Sequence, residues 1–377
     1  MFEPPVFRLI DETHVLHAGR AYTHFSGSDY FRLSWHPEVR RAAERGIREY
    51  GTGICASRMT TGNARIYGEL ERALARFFGV ESATLTSAGY TAPIVVAQAL
   101  ADDHGRVLLD SKAHGCLRDA AVLTGLPVVD FRHGDAKDLE RRVRARRGNS
   151  RDPDLVLCNG LDAVDGRVGP IAEYAAVLGG ERGTLVVDDA HGAGVLGRRG
   201  RGAVEWSGLA FDRVVVTLTL SKAFGSYGGV VLGDRGLRRR ILERSRLFTG
   251  NTPPAPSSVA ASLGALGVIA REGAALREKL RNNLDAIPDW IRGGGSGVGP
   301  GPGPGPMFSV AGTDAEAERL RRLLLKKGIH PPLIRYPNGP ASRYFRFALS
   351  TAHSATQIGE LVEVLQRHFR REGRELR

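Results

Sequence analysis

Between residues 80 and 235, short apolar runs alternate with amphipathic stretches, and several of the runs are apolar on both faces. The candidate strands are SATLTS (82–87), RVLLD (106–110), PVVDF (127–131), DLVLCN (154–159), TLVVDD (184–189), RVVVTLT (213–219) and GGVVLG (228–233). A strand with no polar face must be covered above and below, which is how helices cover a parallel sheet. Strand–helix alternation with short turns therefore predicts an α/β fold with a mainly parallel central sheet and helices on both faces.

The flanks extend this plan. HPEVRRAAERGIREYG (36–51) and YGELERALARFFG (67–79) read as amphipathic helices closed by glycine. Beyond the sheet region, PAPSSVAASLGALGVIAREGAALREKLRNNLDAI reads as one long helical stretch. MFSV (307–310), DAEAERLRRLLLKKG (314–328), YFRFALS (344–350) and ATQIGELVEVLQRHF (355–369) follow in the order β-α-β-α, a small α+β domain. A chain of 377 residues suits one large domain and one smaller one. The expected division is an N-terminal arm over 1–45, a large domain over 46–270 and a small C-terminal domain over 271–377. Within the last lies GGGSGVGPGPGPGP (293–306), which has almost no side chains to pack and predicts a flexible or semi-extended loop.

Composition removes several function classes. No window approaches the roughly 18 uninterrupted apolar residues of a membrane span, and the start MFEPPVFRLIDETH lacks the apolar core of a secretory signal. Cys55, Cys116 and Cys158 are odd in number and widely spaced, which argues against a disulfide framework or a zinc site and for a reducing cytoplasm. The net charge of +12 comes from arginines spread over many segments, with no nucleic-acid-binding motif. Dispersed charge solvates a surface, so no nucleic acid is expected as partner, although a positive field would attract acidic substrates.

Three segments carry chemistry. Lys222, in TLTLSKAFGSYGG, follows an apolar strand that would deliver it to the carboxyl edge of the sheet, where α/β proteins bind ligands. A desolvated lysine there suits Schiff-base chemistry, whereas a lysine without such neighbours is a solvated surface charge. Asp188 and Asp189 close another apolar strand in TLVVDDAHGAGVLGRRGRG, and strand alternation points them to opposite sides. A carboxylate left there needs a partner. A pyridinium N–H would serve, a metal or a cap being the alternatives, and His191 stands three positions on. The turn LTSAGYTAP (85–93) opens a helix, presenting N–H groups and a positive dipole end to an anion such as phosphate.

Together, SAGY after a strand, LLDSKAHGCLRDAA, VVDDAHGAGVLGRRGRG and TLTLSKAFGSYGG resemble the α-oxoamine synthase family of fold-type I pyridoxal-phosphate enzymes. That family includes 8-amino-7-oxononanoate synthase, 2-amino-3-ketobutyrate CoA ligase, 5-aminolevulinate synthase and serine palmitoyltransferase. HFSGSDYFRLSWHPEV (24–39), YGTGICASRMTTG (50–62), FTGNTPPAP (248–256) and YFRFALSTAH (344–353) extend the resemblance over most of the chain.

The resemblance implies pyridoxal 5′-phosphate as cofactor, with Lys222 as the Schiff-base lysine, Asp188 on the pyridine nitrogen and His191 on the ring oxygen. It implies His114 on the ring face, Gly89, Tyr90, Thr219 and Ser221 on the phosphate, and Arg346 on the amino-acid carboxylate. Thr252 would come from the second subunit of a homodimer. The reaction implied is condensation of an amino acid with an acyl thioester, carried by CoA or an acyl carrier protein, with loss of carbon dioxide. Aminotransfer on the same scaffold is the alternative. The sequence departs from the family at Ala163, where a serine is usual, at Tyr67, often histidine, and along the Gly-Pro run. The segment before residue 20 is also shorter than usual.

Overall fold

The seven apolar runs become the seven strands of one sheet: β1 (Ser82–Thr86), β2 (Arg106–Asp110), β3 (Val128–Phe131), β4 (Asp154–Asn159), β5 (Gly183–Asp188), β6 (Val215–Thr219) and β7 (Gly229–Gly233). Their order is β1-β7-β6-β5-β4-β2-β3. All neighbours run parallel except β7, which is antiparallel to both β1 and β6. Leu155, Val156 and Leu157 of β4 and Val186 of β5 are fully buried, so successive side chains on opposite faces both meet covering helices. The register Asn159–Asp188–Thr217 aligns the carboxyl ends of β4, β5 and β6, so chemistry-bearing residues collect along one rim.

The computed structural model describes residues 4–145, 152–179, 183–293, 302–335 and 340–370. The chain forms two units, one of Leu33–Asp162 with Val168–Ala274, the other of Met1–Arg32, Ala163–Arg167 and Ala275–Arg377. The boundaries thus differ from those expected. The first 32 residues join the C-terminal unit, as does the five-residue insert at 163–167.

In the larger unit, a buried ionic knot seats β1. Glu71, on the helix Arg65–Phe78, accepts Arg58 through both oxygens, at 2.5 and 3.1 Å, and Arg238 at 3.2 Å. It also accepts the Leu85 N–H at 3.0 Å. Two guanidinium groups and an amide compensate the desolvated carboxylate, and the helix, β1 and the loop before the helix are thereby held in one register.

The C-terminal unit contains a four-stranded sheet of Arg8–Leu9, His14–His17, Arg20–His24 and Ile329–His330. The hairpin turn is Ala18-Gly19, both at positive φ (47° and 76°), the primed geometry that matches strand twist. Alanine is an unusual occupant there, and the strands are polar, so neither was visible as periodicity. A three-stranded sheet of Met307–Val310, Leu333–Ile334 and Tyr344–Ala348 completes the unit with the helices Asp314–Lys327 and Ala355–Arg370.

Part of the Gly-Pro run is packed more closely than a flexible loop would be, which leaves the semi-extended alternative for these residues. Gly303, Gly305 and Pro306 are buried, and the Gly305 N–H donates to Gly166 O at 2.9 Å. Gly166 has φ +70°, and a Cβ there would come within 2.7 Å of Met307 O. Missing side chains here permit backbone-to-backbone packing. Residues 294–301 of the run lie outside the described residues.

The helix Pro256–Asp285 has a window long and apolar enough to cross a membrane, more apolar than the sequence scan suggested. Half of that window is buried, with Ala265 and Val268 fully enclosed, which is the pattern of a core helix.

Two histidines of the C-terminal unit are buried in neutral form. His353 Nδ1 accepts the Ser350 N–H at 2.9 Å, Nε2 lies 3.0 Å from His24 O, and its ring stacks on Phe25. A second ring proton would face a donor. Burial lowers His353 to about 3 and His24 to about 4 from the usual 6.5. Because the folded values are depressed, the stabilisation is complete above pH 6.5 and is lost as pH falls towards 4. Denaturant melts across that window should show a loss on the order of 3 kcal/mol for each of the two histidines, since each pH unit over which only the unfolded ring is protonated is worth about 1.4 kcal/mol. His353→Gln should flatten the dependence; an unchanged slope would contradict this account.

Candidate active site

Four strand ends and two helix starts build the rim of the larger unit. β5 ends on Asp188, and β6 leads through Thr219 into a tight turn bearing Lys222, closed by Gly225 N–H to Lys222 O at 2.8 Å and Ser226 N–H to Leu220 O at 2.9 Å. β2 leads to His114, the N-cap of the helix Gly115–Leu123. β1 leads through Ser87–Tyr90 into the helix Thr91–Leu100.

The two carboxylates diverge as strand alternation predicts. Asp189 is buried and accepts the Ala203 N–H at 2.7 Å. Burial pushes its pKa up to about 8, with Lys222 pulling in the opposite direction. A Cβ at Gly160, Gly192 or Gly202 would strike its oxygens, so these glycines make the space it fills. Asp188 faces the other way. Its Oδ1 accepts the Ala190 N–H at 3.1 Å and its Oδ2 accepts the Cys116 thiol at 3.3 Å. His191 lies buried in the turn just beyond.

His114 is held from three directions. Its N–H donates to Asn159 Oδ1 at 3.1 Å, its Nδ1 accepts the Cys116 N–H at 3.1 Å, and its ring stands edge-on to Tyr90 at 6.0 Å between centroids. Tyr90 OH in turn donates to Asp119 at 2.6 Å. His114, Cys116 and Asp188 place ligand-type atoms within 4.8 Å of one another. Burial and the Asp188 charge push the thiol pKa up, so sulfur is a donor in this trio and not a thiolate ligand.

At β1, Gly89 lies against Thr219, and a Cβ there would sit 2.6 Å from Thr219 Oγ1 and closer still to its Cβ. Thr219 Oγ1 and Ser221 Oγ are 2.8 Å apart. Ser87 Oγ, 3.2 Å from Thr91 Oγ1, accepts Asn251 Nδ2 at 2.9 Å. Tyr90, the N-cap of Thr91–Leu100, makes no side-chain cap, so hydroxyls and helix N–H groups converge as an anion needs. Thr252 is exposed and lines a small cavity with Ser87, Thr91 and Asn251 of its own chain.

These donors fit pyridoxal 5′-phosphate. A carboxylate with spare lone pairs suits a pyridinium N–H, an imidazole edge borders the ring space, a hydroxyl-lined helix start suits the phosphate, and a lysine stands on the same rim. The family model for aminotransferase class I and II matches residues 22–365. The chain belongs to that family. Within it, the chain is 35% identical over 354 residues to a putative 8-amino-7-oxononanoate synthase of Desulforudis audaxviator, covering 94% of this chain and 91% of the relative. It is 36% identical to the 8-amino-7-oxononanoate synthase of Thioalkalivibrio sulfidiphilus, covering 93% and 89%. Among solved structures, serine palmitoyltransferase from S. paucimobilis with a bound PLP-myriocin aldimine superposes with a TM-score of 0.88 at 25% identity, covering 97% and 92%. This aminotransferase-family chain is thus an α-oxoamine synthase, a pyridoxal-phosphate-dependent acyltransferase that condenses an amino acid with an acyl thioester to an α-aminoketone.

Sequence reasoning brought Lys222, Asp188, His191, His114, Gly89, Tyr90, Thr219 and Ser221 to this rim, and the structure gathers them there. Arg346 belongs to the other unit, on the strand Tyr344–Ala348, where its guanidinium donates to Ala163 O at 3.4 Å. Tyr67 is fully buried, its hydroxyl bonded to Pro254 O at 2.8 Å and its ring under Arg58, so this departure belongs to the core. Cys116, Asn159, Ser87, Thr91 and Asn251 were missed. Asn159 ends a strand, and Cys116 follows His114 by two positions in a helix's first turn; those placements were the available signals.

Gly89→Ala should lower stability by about 1–3 kcal/mol, the usual cost of overpacking, and weaken cofactor retention. A variant with wild-type melting temperature and retention would refute the tight Gly89–Thr219 contact.

Proposed function

We propose that this enzyme joins alanine to the thioester of a seven-carbon dicarboxylic acid, giving 8-amino-7-oxononanoate, carbon dioxide and the free thiol. The observation carrying this is the set of relatives of that name at 33–38% identity, against 25% for serine palmitoyltransferase. The carbon skeleton of that product contains alanine without its carboxylate, acylated at Cα by a seven-carbon chain ending in a second carboxylate. The Cα–carboxylate and acyl–sulfur bonds break and one Cα–acyl bond forms.

Pyridoxal 5′-phosphate, once bound, draws off the electron pair left on Cα. The Lys222 amine would hold the cofactor and, freed when the substrate amine takes its place, would take the Cα proton. Asp188 accepts the pyridine N–H and keeps that nitrogen protonated, while His191 meets the ring oxygen. His114 covers the ring face and closes it to water. The Gly89–Tyr90 turn binds phosphate through N–H groups, helped by Thr219 and Ser221. Arg346 takes the amino-acid carboxylate in a bidentate pair, a role for which the planar guanidinium is suited. The enzyme works in the cytoplasm as a homodimer, with Thr252 at the subunit boundary. A net charge of +12 favours approach of CoA or carrier-protein thioesters, both acidic.

Holoenzyme offered alanine or serine with seven-carbon dicarboxyl or palmitoyl CoA should release carbon dioxide and thiol fastest with alanine and the dicarboxyl donor. Preference for serine and palmitoyl, or formation of 2-oxo acid without thiol, would refute the proposal. Lys222→Ala should abolish the visible band of lysine-bound cofactor and lower turnover by about 10²–10⁴-fold, the range for loss of a positioned acid–base group.

A further inference from the structure

Cys116 has no place in the reading above, yet its side chain sits where that reading is most demanding. It is buried at 2% exposure in the first turn of the helix Gly115–Leu123, and its sulfur lies 3.3 Å from Asp188 Oδ2. The same sulfur lies 2.9 Å from His114 Nδ1. The thiol has one proton to give. The Nδ1 lone pair already accepts the Cys116 backbone N–H at 3.1 Å, so that nitrogen carries no proton and is engaged. The carboxylate oxygen is charged and is the stronger acceptor. The thiol proton therefore goes to Asp188.

We infer that Cys116 is a positioning residue: its S–H donates to Asp188 Oδ2 and, with the Ala190 N–H on Oδ1, fixes the carboxylate plane that receives the cofactor's pyridine nitrogen. The inference rests on Asp188 having that role. With both oxygens clamped, the carboxylate cannot rotate about its Cβ–Cγ bond, and each oxygen keeps a second lone pair for the incoming N–H. The contact also couples the two elements that border the ring. β5 brings the carboxylate, and the helix after β2 brings both the thiol and the His114 ring.

The arrangement separates two roles by chemistry. A thiolate would repel Asp188 and compete for the pyridinium. Burial and the neighbouring carboxylate both raise the thiol pKa, so sulfur remains a donor throughout the working pH range. In the zinc-like trio of His, Cys and Asp, the thiol is thereby a hydrogen-bond donor to Asp188.

The test is cofactor affinity of the apoprotein, read by titration of the visible band with pyridoxal 5′-phosphate, for wild type, Cys116→Ala, Cys116→Ser and the same substitutions in an Asp188→Asn background. Asp188→Asn alone tests the underlying reading: unchanged affinity and band position there would remove the role of Asp188 and the inference with it. Given that role, Cys116→Ala should raise the dissociation constant about five- to tenfold, the value of one typical hydrogen bond, as suits the weak S–H donor. Cys116→Ser should restore most of the affinity. In the Asp188→Asn background, Cys116→Ala should change it less than twofold. An alanine variant within twofold of wild type, a serine variant no better than alanine, or additive effects in the double variant would each overturn the inference. Thermal melts of the apoproteins identify variants that fail to fold, and in that case the Cys116→Ser comparison decides alone: affinity close to wild type supports donation, and a loss as large as that of a misfolded chain refutes it.

Discussion

The adjacent carboxylates at the end of β5 are the constraint on which the site depends. Side chains alternate along a strand, so Asp188 and Asp189 must serve opposite sides of the sheet. Asp189 goes inward, where the Ala203 N–H and the space left by Gly160, Gly192 and Gly202 receive it. That anchorage ties the turn bearing His191 to residues fourteen positions further along the chain. Asp188 is left facing the rim, bonded to Ala190 and Cys116. Were the register of β5 to slip by one residue, the two aspartates would exchange environments. The covered, apolar run Leu185–Val187 fixes the register by burying both faces.

The sheet was legible because its signal is collective. Each of the seven strands lies within one or two residues of its apolar run, since a fully covered strand must be largely apolar on both faces. The rim residues were legible for a related reason: a strand end fixes position, and Lys222 and Asp188 both follow directly from strand ends. The hairpin of His14–His17 and Arg20–His24 was not legible, because its strands are short and polar and an alanine occupies the turn's left-handed position. Nor was the packing of Gly303 and Gly305 on Gly166, where contact comes from absent side chains. Neither feature leaves a periodic trace.

Contacts between distant segments were the other blind spot. Cys116 was set aside as one of three scattered cysteines, yet its partner, Asp188, is 72 residues away. Tyr67, singled out as a departure from the family, proves to be a buried hydroxyl bonded to Pro254, 187 residues away. Ala163 lies in the short insert that packs with the C-terminal unit, where it meets Arg346 through its backbone carbonyl. Spacing along the chain carries no information about such pairs.

The central claim is that Lys222 holds the cofactor. Reducing the holoenzyme with borohydride fixes the cofactor to whichever lysine bears it, and peptide mapping then locates the label. The account requires the label on the peptide containing Ser221-Lys222-Ala223 and its loss in Lys222→Ala. Label on another lysine, such as Lys112 at the edge of the same rim, or no label at all, would contradict it.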